Sequence, residues 1–196
     1  MTGTVVERIA IGGVELELER PADAESLIDE RAFEVDEFLP YWAERWPSGV
    51  ALAEHVAGLD LTGTRVLELG CGLGLPSLVA ARRGADVVAT DWSEDAIAVL
   101  RRNASRNGVR VTAVPADWRT SDVFAALGPF DLVLAADVLY EERNAAPILA
   151  LLESLGSPAL VADPGRRHAE QFFVAAHGHG WSADALPGGL HRLRPP

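Results

Sequence analysis

Residues 67–76 read LELGCGLGLP, with Gly70, Gly72 and Gly74 at alternate positions between a short apolar run and a helix-forming one. Glycines in a strand-to-helix turn let backbone N–H groups come close to a ligand, and the helix N-terminus behind them favours an anion. The anion is a pyrophosphate or an amino-acid carboxylate; a tight turn that holds nothing is the third reading. A dinucleotide fingerprint spaces its glycines G-x-G-x-x-G, whereas here the spacing is G-x-G-x-G and position 75 is Leu. A Walker loop requires Gly-Lys-Ser/Thr, and the chain has no lysine. Phosphate-loop nucleotide hydrolysis is therefore excluded.

Acids and aromatics recur where the later β-like runs end. Asp91 closes the second run, where its carboxylate can accept from both hydroxyls of a ribose or serve as an ordinary strand-end cap. Dinucleotide enzymes use an acid in the same way, so Asp91 alone does not discriminate. Asp117-Trp118 closes the third run: a carboxylate for an adenine amino group and an indole to pack on its ring. Asp137 closes the fourth, where a reacting centre would lie. Together these groups suit a ligand with amine, ribose and adenine parts and no second nucleotide. S-adenosylmethionine has that shape.

The elements that must position these residues alternate. The stretch VVERIAIGGVELELER predicts a hairpin turning at Gly12-Gly13, and Ala24–Phe38 predicts a helix with Leu27, Ile28, Phe33, Val35 and Phe38 on its apolar face. Pro47-Ser48 starts the next helix and Gly58 ends it. From Arg65 the predicted order is strand RVLEL, helix from Leu75 to Gly84, strand ADVVATD, a helix capped by Ser93 and ended by Asn107-Gly108, and strand VRVTAVPAD. Strand FDLVLAAD, helix AAPILALLESLG, strand PALVAD and a helix around Ala169–Ala176 follow. Two short strands joined at Gly188-Gly189 close the pattern. The expected fold is α/β: a doubly wound, mostly parallel seven-stranded sheet with an antiparallel C-terminal hairpin and an N-terminal hairpin-plus-helix extension. One domain is expected over 1–196, with 1–60 as the N-terminal part and 61–196 as the cofactor-binding core.

Four stretches in order, YWAERWPSGVALAEHV (41–56), VLELGCGLGLPS (66–77), DVLYEE (137–142) and ADPGR (162–166), resemble the class I, seven-β-strand S-adenosylmethionine-dependent methyltransferases. The likeness is to the protein-lysine methyltransferases of the electron transfer flavoprotein β-subunit type. It implies that Glu68, Gly70, Gly72 and Gly74 line the methionine and ribose part of the cofactor, and that Asp91 binds the ribose hydroxyls beside Trp92. Asp117 and Trp118 would hold adenine, and Trp46 would approach from the N-terminal segment. Asp137 and Tyr140 match the Asp-x-x-Tyr that helps to orient the substrate amine. The hairpin before residue 20 and the chain after His177 carry no specific match. Asp137 is followed by Val-Leu-Tyr and not by the Pro-Pro-Tyr of nucleobase amino methyltransferases. The function implied is N-methylation of lysine in a protein substrate, releasing S-adenosylhomocysteine and needing no metal. A small-molecule N- or O-methyltransferase and a non-catalytic cofactor-binding module are the alternatives, and a nicotinamide dehydrogenase stands last.

The formal net charge is −12, and all 17 basic residues are Arg. An acidic surface without a basic stripe repels phosphate backbones, so nucleic acid is not the expected partner and a basic protein is. No 18-residue apolar run and no leader-like start are visible, and the single cysteine, Cys71, suits a reducing cytoplasm. A cytoplasmic enzyme without a membrane partner is expected; the sequence is silent on oligomeric state. Cys71 lacks an evident His partner, and His177 and His179 read as exposed residues of a glycine-rich turn. Trp42 and Trp46, four apart, could form one buried helical face, with either one in the core and the other meeting the ligand.

Overall fold

The computed structural model describes residues 3–27 and 40–196. The first two strands, β1 (Thr4–Ile11) and β2 (Val14–Pro21), pair antiparallel with Ile11 opposite Val14. Gly12 and Gly13 make the turn at φ 54° and 82°, the left-handed pair that a two-residue hairpin with right-twisted strands requires. A 3-10 turn at Glu25–Leu27 follows, and the rest of the helix expected over Ala24–Phe38 lies outside the described residues. A second 3-10 turn, Tyr41–Ala43, leads into α1 (Pro47–Ala57), which starts at the expected proline and is capped by Gly58.

The parallel strands are β3 (Arg65–Leu69), β4 (Asp86–Asp91), β5 (Val111–Pro115), β6 (Leu132–Ala136) and β7 (Ala159–Ala162). Between and after them run α2 (Leu75–Arg82), α3 (Glu94–Arg106), α4 (Ser121–Leu127), α5 (Glu142–Leu155) and α6 (Arg167–Gly178). The chain ends in β8 (Ser182–Leu186) and β9 (Leu190–Arg194), and β9 adds antiparallel to β7. The seven-stranded order is β5-β4-β3-β6-β7-β9-β8. Ser93 Oγ caps α3 by accepting from the Ala96 N–H at 3.3 Å. The helix α4 carries no sequence periodicity because Phe124 is its one buried residue. His177 sits in the last turn of α6 and His179 caps it, where its ring pairs with Glu153 at 2.5 Å. The glycine-rich turn expected there is thus a helix end.

Side chains alternate across the sheet with period two. Val66, Val87, Ala89 and Leu134 point to a core shared with α1, α2 and α3, whereas Leu67, Leu69, Val88 and Val133 meet α5 and α6 on the other face. Leu16 and Leu18 of the hairpin join the first core beside Leu100. A polar device docks the hairpin there. Asn103 of α3 and Asn107, which caps its C-terminal end one turn on, each offer an amide to β2 as a neighbouring strand would. Asn103 Oδ1 accepts from the Glu19 N–H at 2.7 Å and its Nδ2 donates to Glu19 O at 3.0 Å. Asn107 repeats this with Glu17 at 2.9 and 2.7 Å. The buried Glu19 carboxylate then takes Arg102 and Arg106, each at 2.8 Å. The free edge of β2 is satisfied without another strand.

The chain leaves β3 toward β4 on one side and returns to β6 on the other. Such a switch in strand order opens a crevice beyond the carboxyl ends of the strands. The glycine-rich turn lies there.

Candidate active site

The turn from β3 to α2 alternates left-handed residues: Gly70, Gly72 and Gly74 have φ of 63°, 50° and 82°. A Cβ on Gly72 would stand 3.1 Å from the carbonyl oxygen of Trp42, and one on Gly74 would stand 2.1 Å from Leu100 Cδ1. Backbone shape and close approach therefore both demand glycine, independently of any ligand. The Gly72 N–H donates to Asp91 Oδ2 at 2.9 Å, and the Ser93 N–H donates to Asp91 Oδ1 at the same distance. Burial pushes the Asp91 carboxyl up, against these backbone hydrogen bonds. Glu68, 1% exposed, accepts at Oε2 from the Ser77 N–H at 2.9 Å and from the Ser77 hydroxyl. Its burial outweighs both bonds and pushes the carboxyl up to about 8.

These residues line a cavity of about 310 Å³, within the usual range for a small-molecule site. Trp46, Glu68, Gly70, Gly72, Gly74, Asp91, Trp92, Trp118, Asp137 and Tyr140 all border it. Asp117 does not. It borders a smaller adjoining cavity, shared with Trp92, Trp118 and Tyr140, and its carboxylate takes Arg119 at 2.5 Å. A Cβ added to Gly70 would meet Trp118 at 3.3 Å, so the Trp118 ring lies directly on the glycine turn. Cys71 also borders the cavity as a buried thiol that burial pushes up, the opposite of an activated nucleophile.

The N-terminal segment closes one side. Tyr41, Trp42 and Trp46 all face the cavity. Trp46 Nε1 donates to Tyr41 O at 2.7 Å, and the Tyr41 ring stacks at an angle on Tyr140, 5.1 Å between centroids. Trp42 and Trp46 do not share one helical face, because a 3-10 turn holds the first and the second precedes α1. Burial pushes the Tyr140 hydroxyl up.

On the opposite wall Asp137 follows β6 with φ 56°, the non-glycine residue with positive φ among those described. Its N–H donates to Ala162 O at 2.9 Å, which ties this unusual backbone to the end of β7. Its carboxylate pairs with Arg166, a cavity residue of the ADPGR stretch whose part in the site cannot be read from its position in the chain. Arg166 Nη1 also lies 3.2 Å from Asp163 Oδ2. Asp163 Oδ1 accepts the N–H groups of Gly165 and Arg166 at 2.8 and 2.7 Å. The turn is thereby locked around its own aspartate.

With this geometry in place, the comparisons with known proteins decide the family. The model of the lysine methyltransferase family matches residues 43–177. This chain belongs to that family. The electron transfer flavoprotein β-subunit lysine methyltransferase of Xenopus laevis is 32% identical over 148 residues, which are 70% of this chain and 58% of that protein. The Danio rerio counterpart is 31% identical over 76% of this chain and 59% of its own length. The chain thus spans a little under three fifths of these curated relatives. A histone-arginine methyltransferase of Homo sapiens is 34% identical over 55% of this chain and 60% of its own. Among solved structures, a 16S rRNA methyltransferase of T. thermophilus in complex with AdoMet and guanosine superposes with TM-score 0.70 at 15% identity, over 98% of this chain and 50% of that one. A magnesium protoporphyrin IX methyltransferase from Synechocystis, with bound SAM, superposes with TM-score 0.58 at 20% identity, over 87% of this chain and 95% of that one. The doubly wound sheet and its order are those of this fold. Among the described residues no helix is long and apolar enough to cross a membrane.

Proposed function

We propose that this family member binds S-adenosylmethionine in the central cavity and methylates the side-chain amine of lysine in a protein substrate. The observation that carries the reading is the meeting of the glycine turn, Asp91, Asp137 and Tyr140 around one cavity. The residues fit the cofactor chemically. Asp91 is a buried acceptor whose partners are N–H groups, and ribose hydroxyls are donors of the same kind; Glu68, whose carboxyl is pushed up to about 8, can both accept from the ligand and donate to it. Trp92 and Trp118 supply aromatic faces for the nucleoside. Asp117 takes a secondary place in this reading, because Arg119 holds its carboxylate outside the main cavity.

When bound, the cofactor supplies an electrophilic methyl: the amine lone pair forms the N–C bond as the C–S bond breaks, its electron pair stays on sulfur, and the amine proton leaves to water. The chain's own work is placement. Asp137 accepts a hydrogen bond from the incoming amine and aligns it. Tyr41 and Tyr140 pack against each other beside it and limit water. We read residues 1–196 as one catalytic unit, because the hairpin shares a core with α3. The acidic net charge of −12 favours a basic face on the substrate protein, and the single cysteine favours a reducing cytoplasm.

The chain contains no lysine, so it cannot label itself on that residue. Incubation of a dialysed cell extract with methyl-labelled S-adenosylmethionine should yield methyllysine with the wild type and none with Asp137→Ala. Label confined to small molecules would transfer the reading to a small-molecule acceptor.

A further inference from the structure

We propose that Arg166 is the positioning residue for the acceptor amine: it holds one oxygen of Asp137, leaves the other for the amine, and offsets the negative charge that would otherwise keep that amine protonated. The inference rests on the lysine-methylation reading above.

An amine attacks only through its free lone pair, and a lysine is protonated at neutral pH. A carboxylate beside it strengthens the problem, since an opposite charge within about 4–6 Å raises the pKa of an amine. Asp137 alone would bind the substrate well and hold it in the unreactive form. The structure places a guanidinium against it. Arg166 Nη1 bonds Asp137 Oδ1, and the same nitrogen reaches Asp163 Oδ2 at 3.2 Å. The Asp163 and Asp137 side chains are 1% and 10% exposed, and that of Arg166 is 29% exposed. Burial works against the Arg166 charge, but Asp137 and Asp163 hold it above the ordinary guanidinium range, so it stays ionised.

The arriving ammonium meets two carboxylates with one guanidinium between them; without Arg166 it would meet the carboxylates alone and hold its proton more tightly. Asp163 completes the device. Its second oxygen accepts the N–H groups of Gly165 and Arg166, which fixes the backbone from which the guanidinium projects.

Among the described residues, no other charged group facing the cavity duplicates this role. Arg45, the other cation lining it among the described residues, lies 3.6 Å from Glu7. Glu44 is an acid and Glu141 is paired with Arg143, and burial pushes the Tyr140 hydroxyl up. Across the cavity, Glu68 is held by Ser77, and Asp91 by Gly72 and Ser93. Burial pushes the His191 imidazole down, against the nearby Asp163 carboxylate. All of these persist in an Arg166 variant.

The test is the pH profile of methyllysine formation, with dialysed extract protein and methyl-labelled S-adenosylmethionine as probes. Arg166→Gln keeps a hydrogen-bond donor without the charge. Its acid limb should move up by about one pH unit. At neutral pH it should form methyllysine roughly tenfold more slowly than the wild type, and the deficit should shrink to about threefold at high pH. Arg166→Lys restores the charge, and its acid limb should fall within about 0.3 unit of the wild type even if its rate is lower. Calorimetric titration with S-adenosylhomocysteine monitors the fold, and all three proteins should bind within about threefold of each other. An Arg166→Gln profile reduced equally at every pH, with intact S-adenosylhomocysteine binding, would overturn the proposal and leave Arg166 a structural tie. Loss of S-adenosylhomocysteine binding in both variants would overturn it too, placing Arg166 in cofactor binding or folding. A wild type that forms no methyllysine at any pH would remove the lysine reading and the Arg166 role together.

Discussion

The two walls of the cavity carry buried carboxylates under opposite conditions. On the β3–β4 side, Glu68 and Asp91 are held by backbone N–H groups and a serine hydroxyl. On the β6–β7 side, Asp137 and Asp163 share the Arg166 guanidinium. Burial therefore pushes both carboxyls of the first wall up, whereas those of the second wall have a cation between them. The difference teaches what each wall receives. Acceptors without a cation suit a ligand bringing hydroxyl and amino donors, and a carboxylate pair with one cation suits an exchangeable positive group.

Conservative acid-to-amide substitutions break this contrast in a graded way. Asp137→Asn should slow methyl transfer by about a hundredfold, with S-adenosylhomocysteine affinity within about threefold by calorimetry; an equal loss of affinity would move Asp137 to the cofactor wall. Asp91→Asn should do the reverse and weaken S-adenosylhomocysteine binding by about thirtyfold. Its unfolding free energy should change by under about 1 kcal/mol, because losing one N–H acceptor offsets the relief of a buried charge. In Asp163→Asn, denaturant unfolding should show a loss of about 2 kcal/mol, since Arg166 loses one of its two anions and the turn one of its acceptors. A smaller loss than in Asp91→Asn would contradict the contrast.

The mildest variant, Glu68→Gln, reports on pH. One oxygen of Glu68 takes both Ser77 bonds, so the amide can keep them. The folded carboxyl titrates near 8 against an ordinary 4.5. Between those values the folded state holds a proton that the unfolded state has lost, so stability falls as pH rises. Thermal unfolding of Glu68→Gln should therefore gain on the wild type from about pH 5 to about pH 8 and run parallel to it outside that window. A constant difference across the range would mean that Glu68 is ionised in the folded protein.

Much of this was legible in the chain itself. The strand RVLEL, the proline starts of α1 and α2, the Ser93 cap and both hairpins stand where turn chemistry and apolar runs put them. Those signals are local. The helix α4 was missed because a single buried Phe124 leaves no period to read. Asp117 shows a different limit: its strand-end position reads as a ligand contact, and only the structure shows that Arg119, two residues on, pairs with its carboxylate. Arg166 stood inside a quoted motif without a role, because its partner Asp137 is 29 positions away.

By itself the sequence determined the alternation of strands and helices, the glycine turn at the head of α2 and the run of acids at strand ends. These follow from backbone sterics and hydrophobic period, which act over a few residues. Only the tertiary structure decided which acids share a cavity, which of them meet a cation, and that Asn103 and Asn107 seal the edge of β2. Burial and pairing depend on residues brought together from distant parts of the chain. They set the desolvation that pushes Glu68 up and the charge that Arg166 brings to Asp137.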